Sequence, residues 1–228
     1  MRALSRSLIH LFFYFAGYSN FWPYVSLAFL AEYLLACIAI EHSMVQGKRM
    51  QLARDDWLKA ALSQCTAGID TVKIAPLAEQ LGVTTGSFYW HFKNRRELLE
   101  AMLEYWEHEM TDVALDAAKR HPGPPAKRIM DLMNTVMSKG LARYDLPIWQ
   151  WAQTDASASR VFKRVLKRRF STAAWMFSEA GFSREQAEIR GRMMVVYMMG
   201  ESTLIPDSMA RRKEYIKLKH EILTAPEQ

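Results

Sequence analysis

From Leu52 onward, apolar residues recur at the three-to-four-residue spacing of amphipathic helices. Leu52, Trp57, Leu58, Ala61, Leu62 and Cys65 mark one face of a first helix that ends near Gly68. Ile74, Leu77, Ala78 and Leu81 mark a short second helix stopped by Gly82. Pro76 falls in its first turn, where a missing N–H costs little. Thr84 or Thr85 is positioned to cap a third helix running to about Phe92. Asn94 with Glu97 has capping-box spacing and opens a long fourth helix over 95–120. The run HPGPP at 121–125 breaks the pattern and is the clearest boundary in the chain. Beyond it the spacing predicts helices near 125–140, 145–157, 158–180, 184–205 and 208–223. Ser183 with Gln186 supplies another capping signature. No stretch alternates apolar and polar residues with β-branched enrichment over strand length, so the expected fold class is all-α.

Residues 8–40 do not fit that scheme. They are strongly apolar and aromatic, interrupted by Asn20, Pro23 and Glu32. The piece from 24 to 40 approaches the roughly 17–25 residues of a membrane span, yet Glu32 near its middle would cost about 2.5 kcal/mol or more there. The segment is too long in its apolar part for a signal peptide and lacks an A-x-A site. Met44 or Met50 opens a stretch that reads as the natural start of a small helical protein. Residues 1–43 are therefore expected to be a dispensable extension or a mis-assigned start, with a membrane anchor through residues 8–40 as the alternative. An extra packed helix is a third reading. The expected division is 1–43, then 44–100 as a helix-turn-helix domain, then 101–228 as a helical domain.

Half the residues are apolar and glycine and proline are sparse, which fits a globular chain. Cys37 and Cys65 stand alone, pointing to a reducing compartment and no disulfide framework. The net charge of +6 permits a polyanionic partner without proving one. Its distribution is more telling. Lys48, Arg49, Arg54, Lys59, Lys73, Lys93, Arg95 and Arg96 face only Asp55, Asp56, Asp70 and Glu79, a local balance of +4. The next fourteen residues hold five glutamates and no lysine or arginine. No metal-ligand spacing, phosphate-cradling glycine loop or nucleophile–base constellation is present as a motif, so no enzyme activity, cofactor or metal is expected.

The positive charge gathers around GVTTGSFYWHF at 82–92. A short second helix, a glycine turn and a short third helix form a helix-turn-helix, whose second helix enters the major groove of DNA. Thr85, Ser87 and Trp90 would face base edges, and Thr84, Tyr89 and His91 would contact phosphates, which fix register. Gly86 would let the backbone approach closely. Phe88 and Phe92 would point inward, and Arg95 would present charge and free N–H groups to a phosphate. Ser87 to Phe92 cannot all be buried on so short a helix, so some aromatics must be exposed beside basic residues.

Residues 52–106 resemble the DNA-binding domain of the TetR family of transcriptional regulators. The resemblance rests on Leu77-Ala78, Leu81-Gly82-Val83-Thr84, Gly86-Ser87-Phe88-Tyr89-Trp90-His91-Phe92 and Leu98-Leu99. Lys73 stands where a small hydroxyl residue is common, which leaves Thr71 or Lys73 to supply a phosphate contact. The resemblance implies a cytoplasmic homodimer on a palindromic operator of double-stranded DNA, a four-helix dimer interface, and a C-terminal pocket for a small-molecule effector. It implies a repressor released by that effector. GRMMVVYMMGE at 191–201 is apolar nearly all round, and Met suits a pocket of adaptable shape. Trp106, Met133, Met137, Trp149, Trp151, Trp175, Tyr197 and Met198 are candidate lining residues for an apolar or aromatic effector. Gly191, Met194, Met198 and Gly200 are candidates for the dimer interface. Six basic residues between 160 and 169 read as a solvated face. The alternative is a membrane-anchored helical interaction protein using that face.

Overall fold

The computed structural model describes residues 52–205 and 208–226, all helix, turn and loop, with no strand among them. The extension 1–43 and the membrane-anchor expectation lie outside the described residues. Among the described residues no helix is long and apolar enough to cross a membrane.

Three helices open the described chain: α1 (Arg54–Cys65), α2 (Ile74–Gln80) and α3 (Thr85–Phe88). A 3-10 turn, Ile69–Thr71, links the first two. The turn between α2 and α3 passes through Gly82 at φ 68°, a left-handed conformation that any Cβ would strain. Helix α4 (Arg95–Glu107) starts at Asn94, whose side chain accepts from the Glu97 N–H at 3.0 Å. The Glu97 carboxylate reaches back to the Lys93 N–H at 2.8 Å. The long fourth helix is interrupted by a π-turn over His108–Asp112 before α5 (Val113–Arg120) continues it.

After the proline break come α6 (Pro125–Ser138), a 3-10 turn (Leu141–Tyr144), α7 (Asp145–Ala152), α8 (Ala156–Glu179), α9 (Arg184–Leu204) and α10 (Met209–Thr224). Pro125 occupies the first helical position of α6, where its fixed φ suits the helix. Asp155 caps α8 by accepting from the Ala158 N–H. Ser183 and Gln186 form the reciprocal capping box at α9, as their spacing predicts. Helix α7 ends at Ala152, short of the expected 157, because Asp155 takes the cap of the next helix.

Two apolar clusters hold these helices. One runs from Trp57, Leu62, Phe88 and Phe92 to Trp106, Ile148 and Phe162. The other gathers Ile129, Met133, Met176, Phe177, Met194 and Ile216. Met110, Leu166 and Met199 touch both. Helix α4 thus packs on α1, and the π-turn that follows it carries Met110 and Thr111 in among the C-terminal helices.

Candidate nucleic-acid interface and effector cavity

Phe88 and Phe92 are buried as the helical period requires, and they fix how α3 sits. The Phe88 ring meets Trp57 edge-on at 5.4 Å and Phe92 at 5.4 Å, geometries that add to their burial. With those rings inside, the rest of the segment faces out. Thr84, Thr85 and Gly86 are exposed, Ser87 and His91 half-buried, Tyr89 60% and Trp90 88% exposed. Helix α3 ends at Phe88 rather than Phe92. The chain tightens through Tyr89 N–H to Gly86 C=O and His91 N–H to Phe88 C=O as it turns toward the Asn94 cap. Tyr89 and Trp90 therefore project from a turn.

Two expected phosphate contacts are committed elsewhere. The Arg95 guanidinium donates to Val72 C=O and Ile69 C=O, both at 2.6 Å, tying the start of α4 to the 3-10 turn. It is a clamp within the domain rather than free charge. The Thr71 hydroxyl turns back on the end of α1, 2.7 Å from Gln64 C=O and Gly68 C=O. Lys73, exposed at the entry of α2, keeps its ammonium clear of any cap bond.

The C-terminal half contains a cavity of about 50 Å³ between α5, α6, α8, α9 and the π-turn. Met110, Leu132, Val136, Met194, Met198 and Met199 contribute to its apolar wall. Its polar end is Thr111, Asp145 and Arg169. Of the eight nominated lining residues, Met198 alone faces it. Trp106 and Met133 are buried in the core beside it. Trp106 stacks on Phe162 at 6.0 Å and donates from Nε1 to Asp145 Oδ1 at 3.2 Å, so it supports a lining residue. Met137 lines a neighbouring groove with Met198 and Arg212. Trp151 lines another, with Arg95 and Arg96. Trp149 and Trp175 are exposed, the latter beneath the Arg128 guanidinium at 5.1 Å, and Tyr197 is exposed beneath Lys219 at 5.0 Å.

The interface candidates divide as well. A Cβ on Gly191 would sit 2.9 Å from the Ala174 backbone nitrogen, so this glycine serves the approach of α9 to α8 within one chain. Met194 is buried on the cavity wall. Gly200 has only Leu204 near its Cβ position, at 3.8 Å, and Met198 faces the cavity. The exposed apolar positions of these helices are others: Ile189, Met193, Val196 and Tyr197 on α9, Leu218 and Ile222 on α10. Their three-to-four spacing was legible in the sequence, but the apolar surroundings of 191–201 masked which face was which.

The basic segment of α8 is less open than its sequence suggests. Arg164 and Arg168 pair with Glu107, and Arg168 also with Asp112. The Arg164 hydrogen bond, helped by the charge of Arg168, holds the Glu107 carboxyl below its ordinary pKa. Arg169 turns inward to Asp145 at 2.6 Å. Burial pushes the Asp145 carboxyl above its usual range, and Arg169 and the Trp106 N–H offset part of that push. Sequence reading missed both residues. Periodicity marks only the inward side of Arg169, seven residues after buried Phe162 and four before buried Ala173, and names no partner for it.

Among the described residues the chain is all-α, with an exposed helix-turn-helix at its N-terminal side. Residues 58–102 match the family described as bacterial regulatory proteins, tetR family. The chain is 27% identical over 70 residues to the HTH-type transcriptional regulator AcrR of Shigella flexneri, covering 31% of this chain and 33% of that protein. It is 44% identical over 48 residues to the class A tetracycline repressor protein from transposon 1721 of Escherichia coli, covering 21% and 22%. These matches thus span a third or less of the relatives' lengths. In fold, it is similar to a transcriptional regulator from Rhodococcus sp. Rha1, with a TM-score of 0.58 at 16% identity over 76% of this chain and 94% of that one. Over residues 58–102 the chain is thus similar to the DNA-binding segment of the tetR family of bacterial regulatory proteins, and over most of its length it shares the fold of a solved regulator.

Proposed function

We propose that this protein is a dimeric, DNA-binding transcriptional repressor released from a palindromic operator by a small apolar or aromatic molecule. Residues 44–100 read DNA, and residues 101–228 dimerise and hold the effector. One observation carries the DNA reading: Tyr89 and Trp90 stand in solvent while Phe88 and Phe92 lock the same short segment to the core. A folding role would bury the indole, and a groove-reading role exposes it. Thr84, Thr85, Gly86, Ser87 and His91 complete the reading face, with Lys73 as a phosphate contact.

Second copies meet through the exposed stripes of α9 and α10, where Val196 is 58% and Ile222 68% exposed. Two surfaces of this kind on adjacent helices have the composition of an interface centre. The effector site is the cavity at Met198, Asp145 and Arg169. The membrane alternative gains nothing from α8, where Arg164, Arg168 and Arg169 are engaged within the chain.

Genome-wide mapping of bound DNA, followed by titration of the purified chain on the recovered sites, tests the reading. Recovered sites should share a two-fold motif and bind about a thousandfold or more tighter than random duplex. An absence of enriched sites, or equal affinity for random duplex, would overturn it.

A further inference from the structure

The polar end of the cavity is built like a switch. The Arg169 guanidinium donates from Nε at 3.0 Å and Nη2 at 2.7 Å to the Thr111 hydroxyl oxygen, and from Nη1 at 2.6 Å to Asp145 Oδ2. An arginine carries five N–H donors, so these bonds leave donors over on a group whose side chain is only 11% exposed. Thr111 lies in the π-turn of His108–Asp112, a form in which one extra residue is fitted into a helical turn and which recurs at functional sites. That turn is held from both sides. Outside, Glu107 and Asp112 are paired with Arg164 and Arg168 of α8. Inside, Thr111 is held by Arg169.

Resting on the reading of this cavity as the effector site, we propose that Arg169 reads the effector, a neutral apolar molecule ending in a carbonyl-type hydrogen-bond acceptor. That acceptor takes Arg169 from Thr111 and so releases the inner hold on the π-turn of the fourth helix. A cavity of about 50 Å³ has room for only a few waters, so the guest enters by displacing side chains. Met110, Met194, Met198 and Met199 form much of the wall, and unbranched thioethers are the side chains most easily moved. The guest is neutral because Asp145 already balances Arg169. A carboxylate would add an uncompensated charge to a chamber otherwise lined by apolar groups. An acceptor-free hydrocarbon would fill the wall but leave Thr111 in place. The fourth helix starts beside the reader, at Arg95, and reaches the cavity at Met110. Release of the π-turn therefore acts on the helix that directly follows the reading segment.

Three phenyl probes of similar size separate the head groups: acetophenone, benzoate and ethylbenzene. Calorimetric titration of the full chain should give acetophenone about tenfold tighter binding than ethylbenzene, with benzoate weaker than acetophenone. Thr111→Val keeps the shape and removes the competing acceptor, so acetophenone should bind it about tenfold tighter still. Asp145→Leu with Arg169→Met removes the pair together, leaving no charge alone, and should abolish the preference of acetophenone over ethylbenzene. Amide exchange at 108–112 should rise when acetophenone binds the parent, and be raised already in Thr111→Val. Equal binding of acetophenone and ethylbenzene, benzoate as the tightest probe, no binding of any probe, or an unchanged preference in the double variant would overturn the proposal. None of these readouts uses DNA, so their failure is distinct from failure of the operator-binding reading.

Discussion

Trp90 leaves an indole in water at a position where the chain spends its neighbouring aromatics on the core. Burying such a ring against a base edge or sugar would recover about 1.5–3 kcal/mol. Trp90→Ala should therefore weaken operator binding roughly tenfold to a hundredfold and flatten the preference at the base it meets, read by titration on a panel of single-base variants. The fold should be untouched, since the ring contributes little to the interior. Lys73→Met should behave differently, weakening all sequences alike and reducing the log–log salt slope by about one. Equal loss of specificity in both variants would remove the distinction between base and phosphate contacts. Local residues such as these are legible in the sequence because their roles follow from helical period and neighbours. Arg95 and Arg169 are not. Their partners lie 23 and 26 residues away for Arg95, and 58 and 24 away for Arg169. A charge that looks like solvated surface in sequence becomes a buried clamp only when distant elements meet.

At the scale of elements, the caps at Asn94 and Ser183 fix helix starts through contacts three residues apart, which is why those starts follow from sequence. The π-turn at His108–Asp112 and the 3-10 turn at Leu141–Tyr144 have no such local signal; both contribute residues to the cavity wall, where distant elements converge. The outer hold on the π-turn carries a pH signature. Glu107 has a lowered pKa in the folded state, caused first by its hydrogen bond from Arg164. Such a carboxylate contributes stability above its unfolded pKa of about 4.3 and loses it as pH falls through the lower folded value. Glu107→Gln should lower stability by about 1 kcal/mol at neutral pH. That difference should shrink below about pH 4 and vanish once the parent carboxylate is protonated, as followed by chemical denaturation against pH. A gap that persists unchanged into acid would show that packing, rather than charge, sets the contribution of Glu107.

For the whole molecule, the proposed dimer poses the question of where a second copy docks. The core account removes Gly191 and Met194 from the interface, because each already faces its own chain. It leaves a stripe on α9 and α10 whose apolar side chains stand in water without contributing to the monomer's interior. The sequence period placed apolar residues all round 191–201, so only packing against α8 could divide the buried face from the open one. A charge introduced at Val196 or Ile222 should spare the protomer fold and strike association alone. Burying an unpaired carboxylate at a two-fold interface places it opposite or near its own copy, at a cost of at least about 3 kcal/mol. Val196→Glu and Ile222→Glu should thus raise the dimer dissociation constant by about a hundredfold or more, giving monomers by light scattering at micromolar protein. Circular dichroism of the monomers should keep the helical signal. Operator affinity should fall with dimer content, because one protomer meets one half-site and loses the contacts of the other. The two variants must also agree with each other, since α9 and α10 are assigned to one interface. A dimer that survives both substitutions would place the contact between copies on another face and leave these stripes without a role.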